Sequence, residues 1–359
     1  MHEPSVDLKA VLVIDNVAKG PSIGGVRMAE DVSTEECFRL ARAMTLKNAA
    51  ADLPHGGGKI VIYGDPHMPK AQKMHKLRTL ASALRTEEDY IFGPDMGTDE
   101  ECMAWVHDEI GRVVALPREL GGIPLDEIGA TGWGLCHAAD IATRFCNFEL
   151  AGARFAIQGF GAVGKHAARF LVKKGAILIA ASDSRGMIKN ANGIDVNELI
   201  QLKMEGNSVT DYPHGERLDR DAIIDVECDI WIPAARPDVI HEDNVHRLKT
   251  KLIVQGANIP VTHEAEAILS RKGILYVPDF IANAGGVICA AMEYHGANEN
   301  AALAAIEEKI RRNTELVFTR AKVENIEPRQ VAIEMAVERV KKAMSYRRFS
   351  TFSMGPQFI

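Results

Sequence analysis

Lys47 and Lys59 stand twelve residues apart in the stretch MTLKNAAADLPHGGGK. Most lysines are solvated surface charges, but two features set these apart. Three glycines strip side chains from the approach to Lys59, so another group can come close to its ammonium. Lys47 falls in a stretch that reads as an apolar helix, among Ala43, Met44, Leu46 and Ala50. Two ammonium groups facing one partly desolvated pocket depress each other's pKa below about 10.4. A lysine neutral at mild pH is a general base. Asp95, in IFGPDMGT, follows Gly93-Pro94 at a strand end, where loop residues reach a cleft. A lone aspartate there is often a turn or helix cap, and Thr98 to Glu101 does read as a helix start.

A second cluster is GFGAVG, made of Gly159, Phe160, Gly161, Ala162, Val163 and Gly164. It follows the apolar strand RFAIQ and opens the helix AVGKHAARFLVKKG. A further strand ends at Asp183, nineteen residues beyond Gly164. In that context the glycines predict a dinucleotide site. The first permits a tight turn, the second lets backbone approach a pyrophosphate at a helix N-terminus, and the third permits close helix–strand packing. Asp183 would then accept ribose hydroxyls, which favours NAD, and Arg185 leaves NADP open.

The elements that must carry these residues follow from periodicity. LKAVLVID reads as a strand and KGPSIGG as a turn. STEECFRLARAMTLKNAAA reads as a helix with Ser33 as N-cap and Glu36 as its capping-box partner. KIVIYGDP and YIFGP are strands flanking the helix KAQKMHKLRTLASAL, so the first third is α+β. In the middle, GATGWGLCHAADIATRFC is helical. The short apolar runs CDIWIPAA, KLIVQGAN and ILYVPDF are separated by helix-compatible residues, which implies a parallel sheet. From about Ala297 the chain is helical, and the tail SYRRFSTFSMGPQFI carries no readable pattern. The fold class expected is α/β with two domains, an α+β substrate and oligomerisation domain and a Rossmann-like doubly wound dinucleotide domain. The boundaries expected are 1–130 for the first, 131–322 for the second, and 323–359 for a C-terminal helix returning to the first domain, with the tail.

The 359 residues, 47% apolar and 25% charged, suit two globular domains. A net charge of −7 argues against nucleic acid or an anionic membrane as the main partner. The six cysteines form no C-x-x-C pair, no apolar run reaches bilayer length, and MHEPSVDLKAV lacks a leader pattern. A cytoplasmic protein without a metal site is expected.

Taken together, GPSIGGVRM, MTLKNAAADLPHGGGK, GPDMGT, ATGWG, QGFGAVG, QGANIPVTHEAEAIL and PDFIANAGGVI resemble, in order, the glutamate, leucine, valine and phenylalanine dehydrogenases. The resemblance covers residues 7 to 345. It implies a homo-oligomer with its active site in a cleft between the two domains, and reversible NAD(P)-linked conversion of an L-amino acid to a 2-oxo acid and ammonia. Lys47 would pair with the substrate α-carboxylate, Lys59 would activate water, and Asp95 would shuttle protons. Asn283 would hydrogen-bond the substrate amine. Thr131 and Asn258 would neighbour the nicotinamide half, with Ala234 and Ala257 completing the cofactor contacts. Met44, Ile23, Gly24, Gly93, Val287 and Ala290 would line the rest of the substrate pocket.

Departures within that resemblance bear on the substrate. Glutamate enzymes carry a lysine at the position of Ile23 and a serine at that of Ala290, the pair that holds the side-chain carboxylate. Burying a carboxylate against Ile23 and Ala290 would leave an unpaired charge, costing several kcal/mol. Gly93, where leucine-type enzymes tend to have alanine, resembles the phenylalanine type. These positions favour a hydrophobic amino acid, branched-chain or aromatic. The alternatives are a glutamate enzyme with a rearranged pocket, in which Arg27 or His55 meets the acidic side chain, and an inactive dinucleotide-binding regulatory paralogue.

Overall fold

The computed structural model describes residues 1–347. In chain order its elements are β1 His2–Glu3, β2 Leu8–Asn16, β3 Ser22–Ala29, α1 Thr34–Ala50, β4 Gly56–Tyr63, α2 Lys70–Ala83, β5 Tyr90–Pro94 and α3 Glu100–Ile110. Next come α4 Leu125–Ile128, α5 Ala130–Thr143, β6 Arg154–Gln158, α6 Ala162–Lys173, β7 Ile177–Asp183, β8 Gly186–Lys189, α7 Val196–Met204 and β9 Glu216–Leu218. Last are β10 Ile230–Pro233, β11 Leu252–Val254, α8 His263–Arg271, β12 Leu275–Val277, α9 Asp279–Ala282, α10 Gly285–Tyr294, α11 Glu299–Glu324 and α12 Pro328–Met344.

Two compact units result. The first holds residues 1–125, 287–305 and, of the described chain, 333–347; the second holds 126–286 and 306–332. This division differs from the boundaries read from sequence at 130 and 322. The last two turns of α10 join the first unit because Glu293 accepts hydrogen bonds from Leu116 and Ile123 N–H, at 3.0 and 2.8 Å. The C-terminal helix α12 starts at Pro328, and the tail 348–359 lies outside the described residues.

The first unit is built on a five-stranded sheet in the order β1-β2-β4-β3-β5, with β3 parallel to both β4 and β5. Strand periodicity sends alternate residues to opposite faces. Val26, Met28, Ile60, Ile62, Tyr90 and Phe92 point into one core with Leu77 and Leu80 of α2 and Val106 of α3. Val13 and Val61 point the other way, against Cys37 and Ala41 of α1. By the same alternation Ile23, Gly25, Arg27, Lys59, Gly93 and Asp95 belong to the α1 side.

The strand read at KIVIYGDP begins three residues before Lys59, within the glycines. Gly56, Gly57 and Gly58 are strand residues of β4, paired to both β2 and β3. Their glycine identity is set by crowding. A Cβ on Gly56 would lie 1.8 Å from Asn16 O, and one on Gly57 2.0 Å from Thr45 N of α1. Helix α1 is pinned to these strands by Asn48, whose Nδ2 donates to Gly56 O at 2.7 Å and Ile23 O at 3.3 Å. Ser33 caps α1 through Glu36 N–H as expected, but the Glu36 carboxylate turns to Arg27 and does not close a capping box.

The second unit has the Rossmann-like order β12-β11-β10-β6-β7-β8-β9. Strands β12 to β7 are parallel. Strands β8 and β9 add two antiparallel strands at the edge, which the sequence pattern had not revealed. Strand β6 is the first of the parallel set, with β7 on one side and β10 on the other, so the topological switch point lies between β6 and β10. No helix of the described residues is long and apolar enough to cross a membrane.

Candidate active site

In the first unit, neighbouring strands bring one lysine and one aspartate together. Lys59 Nζ lies 2.8 Å from Asp95 Oδ2. Arg27 Nε donates to the same oxygen at 2.9 Å, and its Nη1 meets Glu36 Oε1. The space for this cluster comes from Gly25. A Cβ there would stand 2.7 Å from Asp95 Cβ and 3.1 Å from Lys59 Nζ. Lys59 is buried, only 5% exposed. Burial works to raise the Asp95 pKa, but Lys59 and Arg27 outweigh it and hold the carboxyl below its ordinary value. The partner that the sheet sets beside Lys59 is an acid, Asp95. The cluster is an ion-paired acid and amine, able to pass a proton between them.

Arg27 is the member that sequence reasoning misplaced, having considered it only as a contact for an acidic substrate. The signal was available: in IGGVR, residues 23, 25 and 27 fall on one face of a strand. Lys47 lies on α1, half-buried and one residue before Asn48, with Met44 half-buried one turn earlier. Ile23 and Ala290 are both buried, at 3% and 7% exposure. Val287 and Ala290 lie three residues apart on α10 and so share a face. A methyl at Gly93 would meet Val114 Cγ2 at 3.2 Å. Gly24 is turned away from this group, to the opposite face, where Tyr90 Oη donates to its carbonyl at 2.7 Å. His55 donates from Nδ1 to Pro21 O at 3.0 Å, and its Nε2 meets His295 Nε2 at 3.0 Å.

In the second unit the predicted cofactor residues gather at the carboxyl ends of β6, β10 and β11. Gly159 has a φ of +92°, and a Cβ on Gly164 would sit 2.0 Å from Gly159 O. A Cβ on Gly161 would meet nothing within 4 Å, and this residue caps α6 without any side-chain acceptor. Phe160 is buried at 2% exposure, while Ala162 is exposed and Val163 half-buried at the helix start. Ala234 N donates to Gln158 O at 2.8 Å, and Ala257 N to Pro233 O at 2.8 Å, tying the strand ends together. Asn283 Nδ2 donates to Ala257 O at 3.2 Å and Asn258 Oδ1 at 3.0 Å. Its Oδ1 is buried with no hydrogen-bond partner. Thr131 Oγ1 stands 3.4 Å from where a Gly286 Cβ would be.

Asp183 is placed at the end of β7, but its carboxylate is already engaged. It accepts from Arg185 N, Ser208 Oγ, Val209 N and Lys203 Nζ, the last at 2.7 Å. Despite burial, these partners hold its pKa down at about 2. The sequence could not show this, because Lys203 and Ser208 lie twenty or more residues downstream. Among the described residues no group of three or more His, Cys, Asp or Glu side chains could hold a metal.

A two-unit α/β chain with an acid–amine pair in one unit and a glycine-turn Rossmann sheet in the other has the parts of a dinucleotide-linked oxidoreductase. A sequence model of glutamate/leucine/phenylalanine/valine dehydrogenase matches residues 121–348, and one of the Glu/Leu/Phe/Val dehydrogenase dimerisation domain matches residues 5–112. The chain is 36% identical over 356 residues to a glutamate dehydrogenase of Aeropyrum pernix, covering 92% of this chain and 85% of that one. It is 41% identical over 296 residues to a glutamate dehydrogenase of Thermotoga maritima, covering 78% and 70%. Among solved structures, the leucine-bound hetero-hexameric glutamate dehydrogenase of Thermus thermophilus superposes with a TM-score of 0.85 at 28% identity, over 96% of this chain and 86% of that one. The L-tryptophan dehydrogenase of Nostoc punctiforme gives 0.75 at 25% identity, over 96% and 95%. The chain belongs to the Glu/Leu/Phe/Val dehydrogenase family. It is an amino-acid dehydrogenase.

Proposed function

We propose that this enzyme oxidatively deaminates an L-amino acid with an apolar side chain, branched-chain or aromatic, in a reversible NAD(P)-dependent reaction. The observation that carries the chemistry is the 2.8 Å contact of Lys59 Nζ with Asp95 Oδ2 over the side-chain-free floor of Gly25. Lys47 would pair with the α-carboxylate. The orphaned Oδ1 of Asn283 would accept an N–H from the substrate amine, its Nδ2 being fixed by carbonyl acceptors. That orientation favours loss of the amine proton. Lys59, after passing its proton to Asp95, would take one from the water that attacks the imino carbon. Asp95 would then protonate the departing ammonia. A bound nicotinamide would accept the hydride from the α-carbon.

The residues fit such a dinucleotide. Open space at Gly161 beside the uncapped start of α6 suits a pyrophosphate, and Thr131 and Asn258 would neighbour the nicotinamide half. The engaged carboxylate of Asp183 removes the reason to favour NAD over NADP, so use of both is the reading we adopt. The apolar preference rests on Ile23 and Ala290, and on the engagement of Arg27 and His55 by Asp95, Glu36, Pro21 and His295. A second reading, glutamate in a rearranged pocket, is favoured by the names of the relatives that are 36% and 41% identical. Self-association belongs to the same proposal. Residues 5–112 match a dimerisation domain, and among the described residues the outer edge of β2 meets just the short strand β1 and Met1 before it.

The test is a panel of L-amino acids with NAD and NADP, run alongside Lys59→Ala. The variant should lose turnover while its NADH affinity stays unchanged. A variant as active as the parent removes Lys59 from the chemistry.

A further inference from the structure

Behind Asn283 and Asn258 lies a buried polar network that the reaction scheme does not use. Asp279 is 5% exposed and Glu266 0%, and both carboxylates meet one guanidinium, that of Arg329 at the start of α12. Arg329 Nη2 donates to Asp279 Oδ1 at 2.9 Å and to Gln255 Oε1 at 3.0 Å. Its Nε donates to Glu266 Oε2 at 2.5 Å. Gln255 completes the ring, with Nε2 donating to Glu266 Oε1 at 2.9 Å and Oε1 accepting from Asp279 N–H at 3.0 Å. Such a network is costly to desolvate and is a weak source of stability. Its use must lie in what it fixes.

Two atoms of Asp279 reach the proposed site. Its carbonyl accepts from Asn283 N–H at 2.7 Å, which sets the start of the Asn283 turn. Its Oδ2 accepts from Ile259 N–H at 2.9 Å. Ile259 has a φ of +48°, a conformation that costs a β-branched side chain energy and persists only where neighbours hold it. Asn258 directly precedes it, and Asn258 Oδ1 is one of the acceptors that orient Asn283.

We propose that Asp279, held by Arg329, is a positioning residue that sets Asn258 and Asn283 for the nicotinamide ring and the substrate amine. The proposal rests on the roles given to those two asparagines above. Asp279→Asn tests it well. The variant leaves Arg329 and Glu266 as a balanced pair, so the fold has no new unpaired charge. An asparagine has one oxygen for two donors, and pairing it with Arg329 turns an NH2 toward Ile259 N–H.

The measurements are thermal denaturation, NADH and NADPH affinity by nicotinamide fluorescence, and kcat and KM for the best amino acid. Arg329→Lys and Asn283→Ala serve as companions. For Asp279→Asn we expect parental dinucleotide affinity, a raised amino-acid KM and a kcat lower by ~10- to ~100-fold, the cost of misplacing reacting groups. Arg329→Lys, which keeps the charge and loses the planar fork, should fall between the two. A kcat that drops with KM unchanged, and only in proportion to the sites lost in an NADH titration, overturns the proposal. So does parental kinetics in Asp279→Asn when Asn283→Ala is impaired. Parental kinetics in Asn283→Ala itself would instead remove the functional reading beneath it.

Discussion

Replacing Ile23 by lysine together with Ala290 by serine puts the substrate reading under the sharpest test. Both positions are nearly closed to water, at 3% and 7% exposure. Ile23 is central in the sheet, opposite Gly57 of β4 and Ile91 of β5. A glutamate side chain reaching this depth would set its ionised carboxylate against the Ile23 and Ala290 side chains, neither of which offers it a charge or a hydrogen bond. Leaving one member of a buried pair unpartnered costs about 3–5 kcal/mol. At 1.4 kcal/mol per factor of ten, that corresponds to a preference for leucine over glutamate of roughly 10² to 4 × 10³ in kcat/KM. The double substitution supplies an ammonium and a hydroxyl at the two positions. It should shrink or invert the ratio by a similar factor, chiefly through the glutamate KM. Losing the buried Ile23 side chain removes ~2 kcal/mol of apolar burial, so the variant should melt below the parent. Kinetics must therefore be read well under its transition. Steady-state NADH formation with leucine, phenylalanine and glutamate at matched concentrations gives the ratio. Two outcomes would refute the reasoning: a parent enzyme that turns over glutamate faster than leucine, or a double variant whose ratio does not move.

Removing the guanidinium with Arg27→Met strips Asp95 of one of the two cations that hold it ionised. The carboxyl should then titrate at higher pH, moving the acid limb of the kcat/KM profile up and lowering activity there by about ten-fold, the worth of one charge-assisted hydrogen bond. An acid limb that stays in place would separate Asp95 from the rate. His166→Leu addresses stability. His166 is buried, and burial, with Arg169 and Lys165 nearby, outweighs a hydrogen bond to the Asp126 backbone and depresses its pKa from 6.5 to about 4. A histidine depressed in the folded state contributes its stability in full above pH 6.5 and loses it as pH falls from 6.5 to 4. By linkage this amounts to at most ~3 kcal/mol. Leucine at this position does not titrate, so the drop in urea midpoint between pH 7 and pH 5 should shrink, with His137, also held at about 4, supplying the remainder. An unchanged drop would contradict the assignment.

Local pattern made most elements readable. The helix from Thr34, the strand–turn–helix from Arg154 to Lys173 and the long C-terminal helices follow from signals within a few residues of each other. What sequence could not supply was pairing across distance. The partners of Asp183, Lys203 and Ser208, lie twenty and twenty-five residues downstream, so no local pattern signalled that its carboxylate is already hydrogen-bonded. The neighbours of Lys59 were hidden for the same reason. Its chemistry was inferred from a lysine twelve residues away in the chain, while the sheet order set β3 between β4 and β5 and brought in Asp95, thirty-six residues away.

The glycines of β4 are a second case of a signal that depends on distant neighbours. Three in a row ordinarily signal a turn, because glycine tolerates backbone that other residues avoid. Gly56 to Gly58 have no need of that tolerance, since they are strand residues. What each lacks is a side chain, and the absence lets Asn16, Thr45 and Ser22 press against the backbone. Gly25 does the same for the acid–amine pair. A Gly25→Ala chain would drive its methyl into Asp95 Cβ and against Lys59 Nζ, so the floor of the site is specified by an empty position as firmly as its walls are by Lys59 and Asp95. Sequence reading catches such positions only when a glycine in a strand is taken as a sign of close approach.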